Sequence, residues 1–279
     1  MFYGQYTGFG AGGASYSSLM TVLTENSLTT GLQFCLDAGD SASYSGSGQT
    51  WDDLSGNGQD FHLGLTSGAE ASDPTFNGSA GGLSANEYWT GDGGDAFDYD
   101  SANETWMANA HLNGAKFAIF GVSQYTSGNN ANFSGTRTGT DVGFEYDLSG
   151  ASNVHTFHVR KGGGQALLVN SDSGMADGQW VMHAVVIDEN GGSVSFFWEN
   201  GAYAQVSAAN TFDANYTSPA GTAQKFGVGT LGSDGTTTFN NTLTTGQRMA
   251  AIAAWSGTIP SKANLDTIYN ALKARWSIT

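Results

Sequence analysis

From Gly31 onward, short apolar runs alternate with breaks rich in Gly, Ser and Asn. Leu32-Gln33-Phe34-Cys35-Leu36-Asp37 reads as a short strand, and Phe117 to Val122, Gly143 to Leu148, Val154 to Val159 and Gln165 to Val169 read as others. The sharpest pattern lies between Trp180 and Val206. Val181 to Ile187 is almost continuously apolar, Asp188-Glu189-Asn190-Gly191-Gly192 turns the chain, and Ser193 to Glu199 returns. In the return strand Val194, Phe196 and Trp198 share one face, and Ser193, Ser195 and Glu199 the other. Asn200-Gly201 makes a second tight turn into Ala202 to Val206, which predicts a three-strand meander. Lys225 to Leu231 and Met249 to Trp255 predict two more strands. Leu265, Ile268, Leu272 and Trp276 then recur at helical spacing. Pro260-Ser261 opens this helix, and Lys273 and Arg275 in its last turn suit the helix dipole.

Many short strands at close spacing, followed by one short C-terminal helix, predict an all-β, antiparallel two-sheet jelly-roll sandwich. An immunoglobulin domain has fewer strands and a Cys…Trp…Cys pattern that is missing here. Residues 1–30 lack strand patterning. Gly8-Phe9-Gly10-Ala11-Gly12-Gly13 is a glycine- and aromatic-rich stretch, and Leu19, Val22 and Leu23 suggest one or two helical turns. We read 1–30 as an arm that packs on the domain or on a neighbour, and 31–279 as one jelly-roll domain. No fixed-period repeat divides it.

Composition supports a large core without covalent staples. The chain holds 16 Phe, 11 Tyr and 7 Trp but a single cysteine, Cys35, so no internal disulfide can form. Cys35 lies in an apolar strand and reads as a small buried hydrophobe. With 41 Gly and 3 Pro, the breaks are tight turns. Charged residues make up 12 %, half the roughly 25 % of an average domain, and the formal net charge is −16. Such a surface repels phosphate backbones and anionic bilayers, so neither nucleic acid nor membrane is an expected partner. No apolar run approaches the roughly 18 residues of a membrane span, and the first residues carry no basic or apolar leader pattern. The expectation is a protein made and kept in a cytosol, or exported without the usual signal.

Leu36-Asp37-Ala38-Gly39-Asp40-Ser41-Ala42-Ser43-Tyr44, followed by Trp51-Asp52-Asp53-Leu54-Ser55-Gly56-Asn57-Gly58, resembles the opening strands of the laminin-G-like, concanavalin A-like lectin/glucanase superfamily. The likeness is nearest to versions found in bacteriophage structural proteins. Asp177-Gly178-Gln179-Trp180 through Asp188, with Trp198-Glu199-Asn200-Gly201, is similar to a paired strand and return strand of that family. Ala250 to Trp255 and the terminal helix resemble its closing elements. The resemblance covers residues 31–279 in outline and implies a concanavalin A-like jelly roll. It leaves function open among lectins, glycanases and adhesion modules.

Several constellations invite chemistry. Retaining glucanases of this superfamily carry Glu-x-Asp-x-x-Glu on one strand, with two carboxylates ~5–5.5 Å apart serving as acid and nucleophile. Glu145 and Asp147 share a strand face, but Gly150 stands where the second glutamate belongs. They read as surface residues of a polar face, and no catalytic residue is assigned. Asp52, Asp53, Asn57 and Asp60 cluster in one loop, and Asp92, Asp95, Asp98 and Asp100 in another. Neither matches the calcium-loop spacing, so Asx turns are expected and no metal. His155 and His158, three apart on a strand, point to opposite faces and cannot share one zinc. No Gly-x-Ser-x-Gly elbow is present, and the Gly8, Gly10, Gly13 spacing lacks the βαβ setting of a dinucleotide site. Trp180, Trp198 and Trp255 sit in apolar strands and are expected in the core. Trp51, Trp89 and Trp106 lie among Gly, Asp and Asn. They are the candidate sugar platforms, although loop indoles more often anchor a loop to the core.

Together these features suggest a non-enzymatic virion structural protein of a bacteriophage, assembled in the host cytoplasm. It would be a lectin-like module on tail fibre or head, with host-surface glycan and other virion proteins as partners. The arm at 1–30 would dock it, a homo-oligomer is expected, and no cofactor is needed. The alternatives are a glycoside hydrolase of the same fold and a secreted bacterial adhesin module.

Overall fold

The computed structural model describes residues 16–99, 114–126, 130–137, 142–149, 153–161, 165–174, 177–188, 195–205, 225–233, 239 and 241–279. Strands β1 (Leu32–Asp37), β4 (Thr75–Asn77), β5 (Tyr88–Thr90), β7 (Lys116–Gln124), β12 (Trp180–Asp188), β13 (Phe196–Glu199), β14 (Ala202–Gln205) and β16 (Arg248–Ser256) form the first sheet. Strands β2 (Thr50–Trp51), β3 (Phe61–Leu63), β6 (Phe97–Tyr99), β8 (Ala131–Gly135), β9 (Val142–Ser149), β10 (Val154–Lys161), β11 (Gln165–Gly174) and β15 (Gly227–Val228) form the second. The orders are β14-β13-β12-β7-β16-β5-β4, with β1 also on β16, and β11-β10-β9-β8-β15-β6-β3-β2. Every named strand pair is antiparallel, and the two sheets make the expected jelly-roll sandwich.

The first sheet is buried on both faces. Between the sheets lie Phe34, Leu36, Phe117, Ile119, Phe144, Phe157, Val185 and Phe197. On its other face Phe120, Ala184, Phe196, Trp198 and Trp255 pack beneath helices α1 (Leu19–Glu25) and α2 (Lys262–Leu272). This explains the continuous apolar run of β12, because a strand covered on both sides has no wet face to alternate toward. It also places the period-two face of Phe196 and Trp198 under the helices, while Phe197 enters the sandwich. Asn200 and Gly201 close the β13–β14 hairpin at φ 45° and 84°, the left-handed pair that a tight two-residue turn requires.

The helix predicted at Leu265, Ile268 and Leu272 forms, and all three are buried. Ser261 caps it, with a reciprocal bond from the Ser261 N–H to Asn264 Oδ1 at 2.8 Å. A 3₁₀ turn at Lys273–Trp276 follows. Arg275 does not serve the helix dipole there. Its guanidinium turns inward onto Asp37. The second half of the 1–30 segment is built into the same core: Leu19, Val22 and Leu23 are buried, and Trp255 Nε1 donates to Leu28 O at 2.8 Å. The stretch from Gly8 to Gly13 lies outside the described residues.

The predicted Lys225-to-Leu231 strand contracts to β15, only Gly227–Val228. Residues Gly229 to Ser233 leave the sheet and fold over its outer face. A Cβ on Gly135 would meet Leu231 O at 2.3 Å, and one on Gly227 would meet Thr230 Cγ2 at 2.2 Å. Two side-by-side glycines therefore make room for this crossing.

Candidate functional site

Trp51 and Trp89 are not sugar platforms. Both are fully buried, with ring centroids 5.6 Å apart, and Phe97 and Tyr44 complete their aromatic cluster. Loops of small and acidic residues leave these indoles nowhere to bury apolar area except inward. Trp106 lies outside the described residues. Of the tryptophans expected in the core, Trp198 and Trp255 are there, but Trp180 is only half-buried and rests edge-on against Tyr88 at 5.7 Å.

Glu145 and Asp147 do share the outer face of the second sheet, since Phe144, Tyr146 and Leu148 point inward. They are not exposed there, as expected of a polar surface: Glu145 is 1 % and Asp147 8 % exposed. Glu145 Oε1 meets Arg137 Nη1 at 3.0 Å, and Oε2 meets His158 Nδ1 at 3.3 Å. The Leu231 crossing holds Arg137 in place through the Arg137 N–H to Leu231 O bond. Cross-strand register runs Asp98, Gly227, Gly135, Glu145, His158 in one row. Asp98 is likewise buried, with its carboxyl pushed up by burial and Lys225 opposing at 3.5 Å. Glu145 thus meets a guanidinium and an imidazole, and Asp98 a more distant ammonium.

The two acidic loops behave as turns. Asp53 Oδ1 accepts from the Cys35 and Ser55 N–H groups, and Asp60 Oδ1 accepts from the Asp53 N–H. Asp92 Oδ1 accepts from the Gly94 N–H. Asp95 is the unusual member: burial, then Asp92 and Asp73, push its carboxyl up to about 6. Asp100 lies outside the described residues. Among the described residues no group of three or more His, Cys, Asp or Glu is arranged to hold a metal ion. Cys35 is buried, which pushes its thiol well up and keeps it protonated.

His155 and His158 do point to opposite faces. His158 lies against Glu145, but His155 enters the sandwich and joins a polar relay that periodicity alone did not reveal. His155 Nε2 lies 3.0 Å from Glu199 Oε2. Tyr146 Oη lies 3.4 Å from His155 Nδ1 and 2.8 Å from His183 Nδ1, and His183 Nε2 lies 3.1 Å from Ser123 Oγ. Burial, then His155, push the His183 imidazole well down, so it is neutral. One ring nitrogen then donates and the other accepts, so the Tyr146 and Ser123 hydroxyls take opposite roles at its two ends. The clue was present: histidines inside two apolar strands, His155 in β10 and His183 in β12.

Glu199 is the surface end of this relay and one wall of a cleft of about 410 Å³. The cleft lies where β7 and β13 end and β12 begins. Gln124, Gln179, Trp180, Glu199, Asn200 and Trp276 are its principal walls. Gly178, at φ 66°, turns the chain into β12, donating to Tyr125 O at 3.0 Å and accepting from Gln124 Nε2. Asn200 Oδ1 accepts from the Met182 N–H at 2.9 Å. An indole face with amides and one carboxylate can cover the apolar side of a ring and bond its hydroxyls.

No protein-family model matches the chain, and no curated protein sequence does. Solved structures match in fold. A structure of botulinum neurotoxin type C, whose cell entry depends on interaction with two ganglioside molecules, aligns at TM-score 0.56 and 10 % identity over 88 % of this chain and 52 % of that one. Trypanosoma rangeli sialidase in complex with the inhibitor DANA aligns at 0.52 and 10 %, over 94 % and 38 %. Domain 4 of AbnA, a GH43 extracellular arabinanase from Geobacillus stearothermophilus in complex with arabinotriose, aligns at 0.52 and 9 %, over 85 % and 98 %. The chain spans about half or less of the neurotoxin and sialidase chains, but nearly all of the arabinanase domain. At such identities the likeness establishes the fold alone, a two-sheet β-sandwich.

Proposed function

We propose that this chain is a non-catalytic carbohydrate-binding module, displayed on the tail or head of a bacteriophage for host-surface adhesion. The cleft carries the reading: a half-buried Trp180 face beside Gln124, Gln179, Asn200 and Glu199 is suited to a sugar ring. The fold neighbours that interact with ganglioside or hold arabinotriose are compatible with it. The non-catalytic part is supported by Glu145, the nearest counterpart of a glucanase carboxylate. It is buried against Arg137 and His158, and Gly150 replaces the second glutamate. The phage part is supported by the resemblance of Leu36 to Tyr44 and Trp51 to Gly58 to phage-encoded versions of the superfamily. Multivalent display would raise a weak single-site affinity by ~10²–10⁴.

The test is binding of the whole chain to an immobilised glycan panel, beside a Trp180→Ala variant and an antibody probe of purified phage particles. Glycan binding lost in the variant, with the antigen on the particle, is the expected result. Absence of glycan binding overturns the module reading, and absence from particles overturns the phage placement. Release of new reducing ends from a bound polysaccharide overturns the non-catalytic assignment.

A further inference from the structure

We infer that Glu199 sets the specificity of the end cleft, admitting sugars that present hydroxyl or amine donors and turning away sugars that carry an acid. This rests on the carbohydrate-binding reading above. Glu199 closes β13 with its side chain 14 % exposed. One oxygen, Oε2, is engaged by His155 Nε2 at 3.0 Å. The other makes no hydrogen bond among the described residues, which leaves an acceptor oxygen on the cleft wall. His155 is fully buried and stacked against Phe197 and Tyr146, so it acts as a positioning residue that keeps the carboxylate from swinging away.

The surroundings sharpen the choice. Among the described residues no lysine or arginine lines the cleft. Asp177 adjoins Gly178, and Asp177 and Glu199 both push the Tyr125 phenol up, behind the effect of its burial. Both carboxyl groups therefore lie near this end of the sandwich. The nearby cation, Arg248, sits beside Gln124 in register, but its guanidinium lies over the Tyr88 ring, 4.7 Å from the centroid. A hydroxyl or ammonium entering beside Trp180 gains a charge-assisted bond to Glu199. A carboxylated sugar meets the Glu199 carboxyl, with no donor cation on the walls among the described residues.

The experiment is calorimetric titration of the whole chain with lactose, 3′-sialyllactose, cellotriose, arabinotriose and a chitosan trimer. Glu199→Gln and Gln179→Ala follow, each checked for an unchanged melting temperature. Gln179 is exposed, so its variant keeps the test open if the Glu199 variant fails to fold. We expect an uncharged or amino sugar to bind and 3′-sialyllactose not to. Loss of the charge-assisted bond should weaken binding roughly tenfold or more in Glu199→Gln, and the Gln179 variant should weaken it less. If 3′-sialyllactose binds as tightly as lactose or more tightly, the specificity assignment is overturned while the module reading stands. If a sugar binds equally well to wild type and both variants, the site lies elsewhere and the assignment is again overturned. If no sugar binds at all, the underlying reading falls with it.

Discussion

Arg275 grips Asp37 with both guanidinium nitrogens, Nη1 to Oδ2 and Nη2 to Oδ1, each at 2.7 Å, and neither side chain has any exposed surface. The partners are 238 positions apart in the chain. Asp37 also accepts from the Leu19 and Gly39 N–H groups. One carboxylate thus ties the start of α1, the end of β1 and the turn after α2. Removing one partner strands a buried charge, whereas removing both relieves it. Asp37→Ala should lose about 3–5 kcal/mol of stability, and the Asp37→Leu, Arg275→Met pair markedly less, in urea melts. Equal losses in single and double variants would deny the coupling.

The outer-face crossing makes Gly135 a demanding position. Ala there drives its methyl against the backbone oxygen of Leu231, which no side-chain rotation relieves. Gly135→Ala should cost about 1–3 kcal/mol by chemical denaturation. An unchanged midpoint would mean that the crossing does not lie on the sheet.

Asp95 gives the fold an acid-side gain. Its carboxyl is raised to about 6, so the folded state holds a proton that the unfolded chain releases near ~3.9. The contribution is fully present below the unfolded value and is lost as pH rises through about 6. Asp95→Asn should be more stable than wild type at pH 7, and the difference should shrink toward pH 4. Paired melts across that range read it, and a constant difference would refute it.

His183 works in the opposite direction. Its imidazole is pushed down by burial, so acid favours the unfolded state, which takes up a proton near ~6.5. Stability from this residue is complete above that value and declines as pH falls below it. His183→Phe should flatten that decline. It should also cost about 1–3 kcal/mol at pH 8, because the Tyr146 and Ser123 hydroxyls lose their partner.

The buried and the half-buried indole should part company. Trp51→Ala opens the sandwich core and should cost about 3–5 kcal/mol. Trp180→Ala should shift the melt far less but abolish sugar binding. A reversal of these two outcomes would place the ligand on the wrong tryptophan.

The strand order along the chain, the two-sheet class and the terminal helix were readable from local pattern. β1 runs from Leu32 to Asp37 as the apolar run does, and α2 buries Leu265, Ile268 and Leu272 at their 3.6-residue spacing. Strands of two or three residues, such as β2, β3 and β4, are too short to carry a period, so they escaped it. Periodicity also reports only that a residue points to one side, because the two faces of a strand look alike until something covers them. Hence Glu145 and Asp147 were put on the correct face but in the wrong medium, since their burial is a sum over segments that only the fold brings together. The same limit governed Trp51 against Trp180, the inward turn of Arg275, and the meeting of Glu199 with His155. Backbone geometry and side-chain hydrophobicity act over a few residues and are written locally. Burial, charge pairing and the walls of a cleft are sums over segments that only folding brings together.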